Sequence, residues 1–431
     1  MNIVPNTVDS SKAAEMHKWA SDLFPLNRSL TGPGTLETLH YLQALIPGLE
    51  INSIESGSKV FDWTIPRVWK VEKAFIKNLQ GDTLIDFDNS NLHVMGYSNS
   101  VDGLFTRDEL LEHVHFLREQ PDAIPYVTSY YREDWAFCMS LNQWETLGEG
   151  PFHALIDSNK DEGKLNYAEI LLPGNSKQEI LFSTYVCHPS MANNELSGPV
   201  VLTGLLQELL KKKNLHYSYR AIFVPETIGS LVYLSKHLNY LKEHLIAGWV
   251  LTCVGDEGPL SYIPSRLGDS YADKITLALL NEFHPDFKAY SWFDRGSDER
   301  QFCAPGVDLP VCSVTKTKYG EYPQYHTSLD DLDFITPRGL GQSLDFYMSI
   351  VNLIEANRTP KINTLGEPQL GKRNLYPNTS IKNNQSVRQL MNIISLLDGR
   401  HNIKEISKLL LLSEVEVLQT IEVLQKNDLL S

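Results

Sequence analysis

The sequence predicts an α/β protein whose mixed, mostly parallel sheet is covered by helices. Between residues 152 and 357, short continuous apolar runs alternate with longer segments of helical periodicity. Apolar strands separated by helices are typical of a sheet that is buried on both faces. A β-rich stretch precedes this region and three short helical segments follow it. We therefore expect an inserted small β-rich domain and a separate C-terminal module.

The alternating region gives the following elements. Strands are predicted over residues 167–172, 180–186, 220–224, 248–254 and 311–314. Helices are predicted over residues 197–210, 230–238, 271–283 and 337–355. A Pro-Gly-Asn-Ser sequence at residues 173–176 predicts a hairpin between the first two strands.

Changes in the pattern of apolar and polar residues along the sequence predict the domain boundaries. The main domain comprises residues 1–57 and 150–358, and it is interrupted by the β-rich insertion at residues 58–149. Within the insertion, strands over residues 71–76 and 84–87 flank a turn at residues 78–83. At 431 residues the chain exceeds the usual size of one hydrophobic core, which agrees with several domains.

The C-terminal module, residues 375–431, has three helical segments and a capping-box sequence from Ser413 to Glu416. This arrangement is of winged-helix type and suggests DNA binding. However, Glu414, Glu416 and Glu422 make its third helix acidic, and the chain carries a net charge of -15. Phosphate contacts require Lys or Arg on the docking face. We expect a packing or partner-binding module and no nucleic-acid partner.

Composition indicates a soluble cytoplasmic protein. Apolar residues make up 42% of the chain, and no stretch approaches the roughly 20 apolar residues of a membrane span. The start of the chain lacks the basic and apolar segments of a signal peptide. The five cysteines are odd in number and scattered, which does not predict a disulfide framework. If the strand continues to this point, alternation of side chains turns Cys187 away from His188. We therefore expect Cys187 to be a small buried core residue rather than a nucleophile.

Ligand-capable side chains follow the predicted strands. His188, Glu226 and Asp256 each come just after a strand, and His326 lies in a polar turn. Functional groups of such sheets lie at the carboxyl ends of the strands, so these side chains should share one site. Catalytic zinc sites use His and carboxylate ligands, a general base and an open position for water.

Five segments together resemble the zinc aminopeptidase family, which includes bacterial leucyl aminopeptidases and glutaminyl cyclases. They are His-Pro-Ser at 188–190, Asn-Glu-Leu-Ser-Gly at 194–198, Glu226 before Gly-Ser at 229–230, Ser-Asp at 297–298 and Tyr-His-Thr at 325–327. Residues 20–355 are more closely similar to uncharacterised bacterial aminopeptidase-like proteins. Some of these carry a β-rich insertion and a C-terminal winged helix, and some occur near polysaccharide-biosynthesis genes. The resemblance implies a phosphorylase/hydrolase-like main domain with catalytic activity.

The resemblance also implies roles for individual residues. His188 and His326 match the first and last zinc-binding histidines, and Glu226 matches the general base. Asn194 stands where the family has the carboxylate that bridges two metals. Thr227 and Thr252 stand where it has two further metal-binding acids. The loss of three carboxylates argues against a zinc pair.

We therefore expect one zinc, held by His188, Asp256 and His326, with Asn194 facing it and Glu226 as the base. Asp298 and Glu299 are the predicted substrate-binding residues. Simpler structural roles remain open for three of these residues. Glu226 could be an acid that is favoured by the dipole at a helix N-terminus, and Asp256 could simply stabilise a turn. Asp298 could form a buried ion pair with Arg300. Asp330 could also orient His326.

The leading functional hypothesis is a zinc-dependent hydrolase that cleaves an amide bond of a small peptide or an amino-substituted small-molecule precursor. One alternative is a single-zinc acyl transferase like glutaminyl cyclase. A second, from a different class, is a non-catalytic binding or regulatory protein on a peptidase scaffold. The sequence leaves open whether the protein forms a homo-oligomer, and no membrane partner is expected.

Overall fold

The computed structural model describes residues 10–373, 375 and 385–430. The α-helices are α1 Ser10–Leu23, α2 Pro33–Leu45, α3 Arg107–Leu111, α4 Leu141–Thr146, α5 Ser197–Lys211, α6 Ile228–His244, α7 Tyr271–Phe283, α8 Glu299–Phe302, α9 Pro337–Ala356, α10 Gln385–Leu396, α11 Ile403–Leu410 and α12 Glu414–Gln425. The strands are β1 Glu50–Glu55, β2 Lys59–Val60, β3 Trp63–Thr64, β4 Val68–Lys77, β5 Thr83–Asp86, β6 Val101–Phe105, β7 Val114–His115, β8 Phe137–Cys138, β9 Phe152–Asp161, β10 Lys164–Leu172, β11 Glu179–Tyr185, β12 Ser218–Val224, β13 Leu245–Val250, β14 Ser261–Ile263, β15 Lys288–Ala289 and β16 Val311–Thr315.

The main sheet has eight strands in the order β1-β10-β12-β11-β13-β16-β14-β15. The central strands β12, β11, β13 and β16 are parallel, whereas β1 and β10 pair antiparallel with their neighbours. Strand β14 pairs antiparallel with β16 and parallel with β15. The mixed, mostly parallel sheet is thus confirmed. The predicted hairpin at residues 173–176 is wrong, because β12 lies between β10 and β11. The turn residues at this position end one strand without pairing it to the next.

Helices α1, α5, α7 and α9 form one layer on the main sheet, and they contact one another. Their apolar faces meet the sheet in a buried core that includes Phe182, Trp249 and Tyr347. The opposite face of the sheet is covered by α6, which packs on β10 and β13. Burial on both faces explains why β11 and β12 are buried at every position.

The β-rich part has its own four-stranded sheet, in the order β5-β4-β9-β6. The predicted strand-turn-strand unit corresponds to the antiparallel pair of β4 and β5. This sheet extends to Asp161 through β9, which lies beyond the predicted end of the insertion at residue 149. The apolar interior of this part is continuous with the core beneath α6.

Helices α10, α11 and α12 pack around a separate small core that includes Ile394, Ile406 and Ile421. The Ser413 hydroxyl and the Glu416 side chain make the reciprocal hydrogen bonds of a capping box at the start of α12. Ile362 and Leu370 also join this core. Residues 1–9, 374, 376–384 and 431 lie outside the described part. No helix within the described residues is long and apolar enough to cross a membrane.

Candidate metal centre and active site

The site lies at the carboxyl ends of β11, β12 and β13. The chain leaves β11 through His188 and enters a short π-helical turn, Ala192–Leu196, which leads into α5. Glu226 follows β12, and Thr252 follows β13. From β11, one crossover leads to β12 and the next passes back to β13. The site therefore lies at a switch point of the sheet, where ligands bind in such folds.

The buried imidazole of His188 is fixed from one side. Its Nδ1 lies 2.6 Å from Oε2 of Glu195, and Glu195 is completely buried. The Arg28 guanidinium, also buried, lies 3.9 Å from the other oxygen of Glu195 and donates to the His188 carbonyl at 2.9 Å. Burial and the Arg28 charge lower the pKa of His188 to about 3. The neutral ring can donate from Nδ1 to Glu195 and leave Nε2 free as an acceptor or ligand.

Glu226 faces the free nitrogen of His188. Its Oε2 lies 3.5 Å from His188 Nε2, and the side chain is 20% exposed, so water can reach it. Burial and the neighbouring Asp298 carboxylate raise the pKa of Glu226 well above its ordinary value. A carboxylate beside a ligand-ready imidazole, in a position that water can reach, suits the role of a general base.

Cys187 does not point away from His188, contrary to the prediction. Strand β11 ends at Tyr185, so the alternation of a strand no longer applies, and the Cys187 Sγ lies 3.6 Å from His188 Nδ1. The same sulfur accepts a hydrogen bond from the Glu226 amide. Burial raises the pKa of the Cys187 thiol well above its ordinary value, which disfavours the nucleophilic thiolate.

The second histidine approaches from the loop before α9. The ring centroids of His188 and His326 lie 5.6 Å apart. A ligating ring centroid lies about 3 Å from its metal, so two rings at this separation can share one ion. Tyr126, from the β-rich part, donates its amide to the His326 carbonyl and sets its ring edge against both imidazoles at 5.2 Å. The β-rich part therefore forms one wall of the site.

Asn194 is held by several buried groups. Its amide and that of Asn193 donate to the Asp330 carboxylate at 2.9 and 2.5 Å. Its carbonyl accepts from the Thr252 hydroxyl, and its side-chain Oδ1 lies 3.5 Å from the Tyr185 hydroxyl. Asp330 thus anchors the turn, and its predicted role as the orienting partner of His326 is not what its hydrogen bonds show.

The side-chain Nδ2 of Asn194 is buried and finds no partner among the described residues. The oxygen and nitrogen of an amide are assigned from their hydrogen bonds, so the group can be turned over. The nitrogen would then face the Tyr185 hydroxyl, and the oxygen would occupy the unpartnered position. An amide oxygen at this position would have no donor among the described residues and would be free to act as a ligand.

Asp256 accepts four hydrogen bonds from its own chain. The donors are the Asn193 side chain at 3.0 Å, the Gly258 amide at 2.6 Å, and both the amide and the hydroxyl of Thr317. These bonds favour a positioning role, in which Asp256 steadies the residue before Asn194. A direct role as the third zinc ligand stays a prediction.

Asp298 and Glu299 are both completely buried. Asp298 accepts the Thr227 amide at 2.7 Å, and burial raises its pKa to about 6. Glu299 accepts hydrogen bonds from the Gly296 and Ser297 amides and from the hydroxyls of two buried residues, which are Tyr319 and Ser313. These bonds favour positioning roles. The substrate-binding roles of both residues stay predictions.

Four residues around the site adopt positive φ although none is glycine. They are Ser190, Thr227, Cys253 and His326, with φ between 43° and 65°. Such backbone is uncommon for residues with a side chain, and it persists where the surroundings enforce it. The clustering marks this region as one whose geometry is held by the rest of the fold.

Cys187, His188 and Glu195 form a compact group in which one ligand atom of each lies within 4.8 Å of the others. A cation there would have to displace the hydrogen bond between His188 Nδ1 and Glu195, and it would lie near the buried Arg28 guanidinium. We therefore favour the opposite edge of His188, where Nε2 faces Glu226 and the His326 ring lies nearby. Zinc fits these donors, because both imidazoles are neutral and the carboxylate is close.

Sequence reasoning missed Arg28, Glu195 and Tyr126. Glu195 lies inside a motif that the sequence analysis singled out, and an acid on a helical turn seven residues after a ligand histidine could have indicated its role. Arg28 and Tyr126 lie 160 and 62 positions before His188, and no local pattern marks them.

Comparison with solved structures identifies the fold class. A Clostridium acetobutylicum protein described as a candidate peptidase superimposes with a TM-score of 0.81 at 37% identity, over 98% of this chain and 97% of that one. A zinc aminopeptidase from Bacillus subtilis superimposes with a TM-score of 0.57 at 12% identity, over 81% and 96%. Fold and site thus define an aminopeptidase-like α/β protein.

The chain belongs to the family described as domain of unknown function DUF4910, whose model matches residues 17–357. A winged helix-turn-helix model matches residues 358–431, which confirms the predicted winged-helix-like module. The chain is also 42% identical over 368 residues to a Clostridium acetobutylicum protein, covering 85% of this chain and 84% of that one. That relative is named as a candidate polysaccharide biosynthesis protein with an aminopeptidase-like domain.

Proposed function

We propose that this protein is a zinc-dependent hydrolase of aminopeptidase type that cleaves an amide bond. The observation that carries the proposal is the placement of Glu226 at 3.5 Å from His188 Nε2, while Glu195 holds the other ring nitrogen. This arrangement presents a ligand nitrogen and a carboxylate base to the same partly open space. The aminopeptidase-like fold supports the same reaction class.

His188 and His326 would hold the zinc, with the Asn194 amide as a further ligand. Zinc, when bound, supplies a Lewis acid for the scissile carbonyl. Glu226 takes the proton of the attacking water at its carboxylate and returns it to the leaving nitrogen, so that a C–O bond forms as the C–N bond breaks. Tyr126, from the β-rich part, lies against both imidazoles and would help to hold them in place.

The substrate class that we propose is a small peptide or an amino-substituted precursor. The naming of the Clostridium relative supports a precursor used in polysaccharide synthesis. We expect turnover with a panel of amino-acid amides, dipeptides and N-acylated amino sugars, followed by mass spectrometry. Hydrolysis adds one water to the products, whereas acyl transfer within the substrate would give a cyclised product.

Glu226→Gln tests the assignment of the base. The variant should retain its zinc and its fold and lose hydrolysis by at least about 100-fold, because general-base catalysis contributes roughly 100- to 10,000-fold. Glu119→Gln, at an exposed position of the β-rich part, is the matched control and should retain full activity. Undiminished hydrolysis by the Glu226→Gln protein would contradict the proposal.

One observation favours a second candidate, a binding protein on the same scaffold. The hydroxyl of Thr252, at a position where the resembled family has a metal-binding acid, is already used by the Asn194 carbonyl and the Tyr185 hydroxyl. A binding protein of this kind would bind members of the same compound panel without hydrolysing any of them. Calorimetric binding without product formation would therefore select this candidate over the hydrolase.

A further inference from the structure

The Arg300 guanidinium lies beside the candidate active site with most of its hydrogen-bonding capacity unused. Its Nη2 donates to the Thr227 hydroxyl at 2.6 Å. Its Nε is buried and has no partner within the described part of the chain. A guanidinium carries five N–H donors, and one hydroxyl satisfies a single one of them. No ion pair joins Arg300 to a carboxylate among the described residues, so the anticipated pair with Asp298 is absent there.

The position of this cation links it to the reaction site. Thr227 directly follows Glu226, and Arg300 and both of these residues are partly exposed. The Arg300 charge also opposes the rise in the pKa of Glu226, which places the two groups within electrostatic reach. A molecule that enters beside Glu226 therefore meets the Arg300 side chain.

The backbone around Arg300 is held in place by hydrogen bonds of its neighbours. The residue before it, Glu299, is held by four donors, and Asp298 binds the Thr227 amide at 2.7 Å. Arg300 itself lies in the short helix α8. A cation that is positioned in advance loses little conformational entropy when it binds a ligand.

We propose that Arg300 binds a carboxylate of the substrate, so that the site selects compounds with an anionic group close to the scissile amide. This inference rests on the proposed function and specifies its substrate class. A planar guanidinium matches the two oxygens of a carboxylate and can bind them with two parallel hydrogen bonds. The Arg300 charge opposes the rise in the pKa of both Glu226 and Asp298, yet no described carboxylate lies within ion-pair distance of the guanidinium.

Two hydroxamates of equal length test the proposal by isothermal titration calorimetry on the zinc-loaded full-length chain. Succinic monohydroxamic acid carries a terminal carboxylate, and butanohydroxamic acid ends in a methyl group. Wild-type protein should bind the carboxylated compound about ten- to hundredfold more tightly, because hydrogen bonds between charged groups increase affinity by about this factor. Arg300→Met should abolish this preference and leave the affinity for butanohydroxamic acid unchanged.

Two further variants complete the design. Arg295→Met removes the same charge five positions away, at an exposed side chain that lies over Trp292, and it should keep the preference. Arg300→Lys retains the charge without the planar fork and should keep a reduced preference. The unchanged affinity for butanohydroxamic acid shows that a variant is folded and zinc-loaded.

The outcomes separate this inference from the proposed function. Equal binding of the two compounds by wild-type protein, or equal weakening of both in Arg300→Met, would overturn the role of Arg300 and leave the hydrolase intact. Failure of both compounds to bind the zinc-loaded wild-type chain would overturn the proposed function together with the inference.

Discussion

His188 Nδ1 lies 2.6 Å from Glu195 Oε2, and this contact determines which edge of the imidazole faces the open site. Glu195 in turn lies 3.9 Å from the Arg28 guanidinium, with both side chains fully buried. A buried carboxylate between a cation and an imidazole is costly to place and requires its partners. The arrangement therefore serves to fix His188, and its loss should affect both folding and metal binding.

Glu195→Gln should destabilise the protein by about 3–5 kcal/mol, because Arg28 would become a buried charge without a counter-charge. Urea unfolding of the apoprotein measures the change. The double variant Arg28→Met/Glu195→Gln should lose less than the sum of the single losses, since the two residues interact. Glu162→Gln is the control, because its pair with Arg67 is highly exposed and should contribute at most about 1 kcal/mol. A single-variant loss as small as that of the control would refute the role of the buried pair.

His188→Ala and His326→Ala should each lose zinc and remain folded, since the hydrophobic core rather than the site carries most of the stability. Elemental analysis after dialysis, together with thermal unfolding, measures both properties. His40→Ala, at an exposed position of α2, is the control and should bind zinc as the wild type does. Full zinc content in both site variants would show that the metal is held elsewhere.

His216 should make stability fall under mildly acidic conditions. Its burial and the nearby Arg358 charge lower its pKa to about 4, below the ordinary value of about 6.5. Between these values the unfolded chain binds a proton that the folded chain does not, so stability decreases as the pH falls through this window. His216→Leu should flatten the dependence of the melting temperature on pH between 6.5 and 4, relative to wild type. An unchanged slope would contradict a neutral His216 in the folded protein.

The winged-helix module should be dispensable for zinc binding, because every candidate ligand lies earlier in the chain. Truncation before Ser386 should leave the zinc content unchanged. It would expose Ile362 and Leu370, which pack into the small core of this module, so self-association should increase. Light scattering and elemental analysis measure the two effects. Loss of zinc on truncation would show that the module supports the site.

The same module should bind duplex DNA weakly and without sequence preference. Helix α12 carries two acids in its first turn and no basic residue in its last turn, and the chain has a net charge of -15. Acidic surfaces repel phosphate. Sub-micromolar, sequence-selective binding at physiological salt would contradict this expectation.

The sequence predicted the elements of the main sheet well, because continuous apolar strands such as β11 and β12 leave a strong local signal. The order of the strands in the sheet was harder to predict from the sequence. The Pro-Gly turn at residues 173–176 resembles a hairpin turn. However, β12 lies between β10 and β11, the two strands that this turn connects. Pairing depends on contacts between distant segments, which turn chemistry alone does not encode.

For the site, the sequence indicated His188, Glu226 and His326, since each follows a strand or lies in a motif turn. It could not indicate that Arg28 and Tyr126 complete the site, because these residues are distant in the chain. The direction of Cys187 was also mispredicted, since strand β11 ends at Tyr185, one residue earlier than expected. Roles that depend on hydrogen-bond partners, such as those of Asp330 and Glu299, became visible only with the folded structure.

The proposed function requires a single zinc ion at the edge where His188 and His326 meet. Metal analysis of the purified protein, combined with the anomalous zinc signal in a crystal, measures the number and the position of the bound ions. We expect about one zinc per chain, in contact with both histidines, and a second ion only after Asn194→Asp restores a bridging carboxylate. Two tightly held zinc ions in the wild-type protein, or one bound between Cys187 and Glu195, would contradict this expectation.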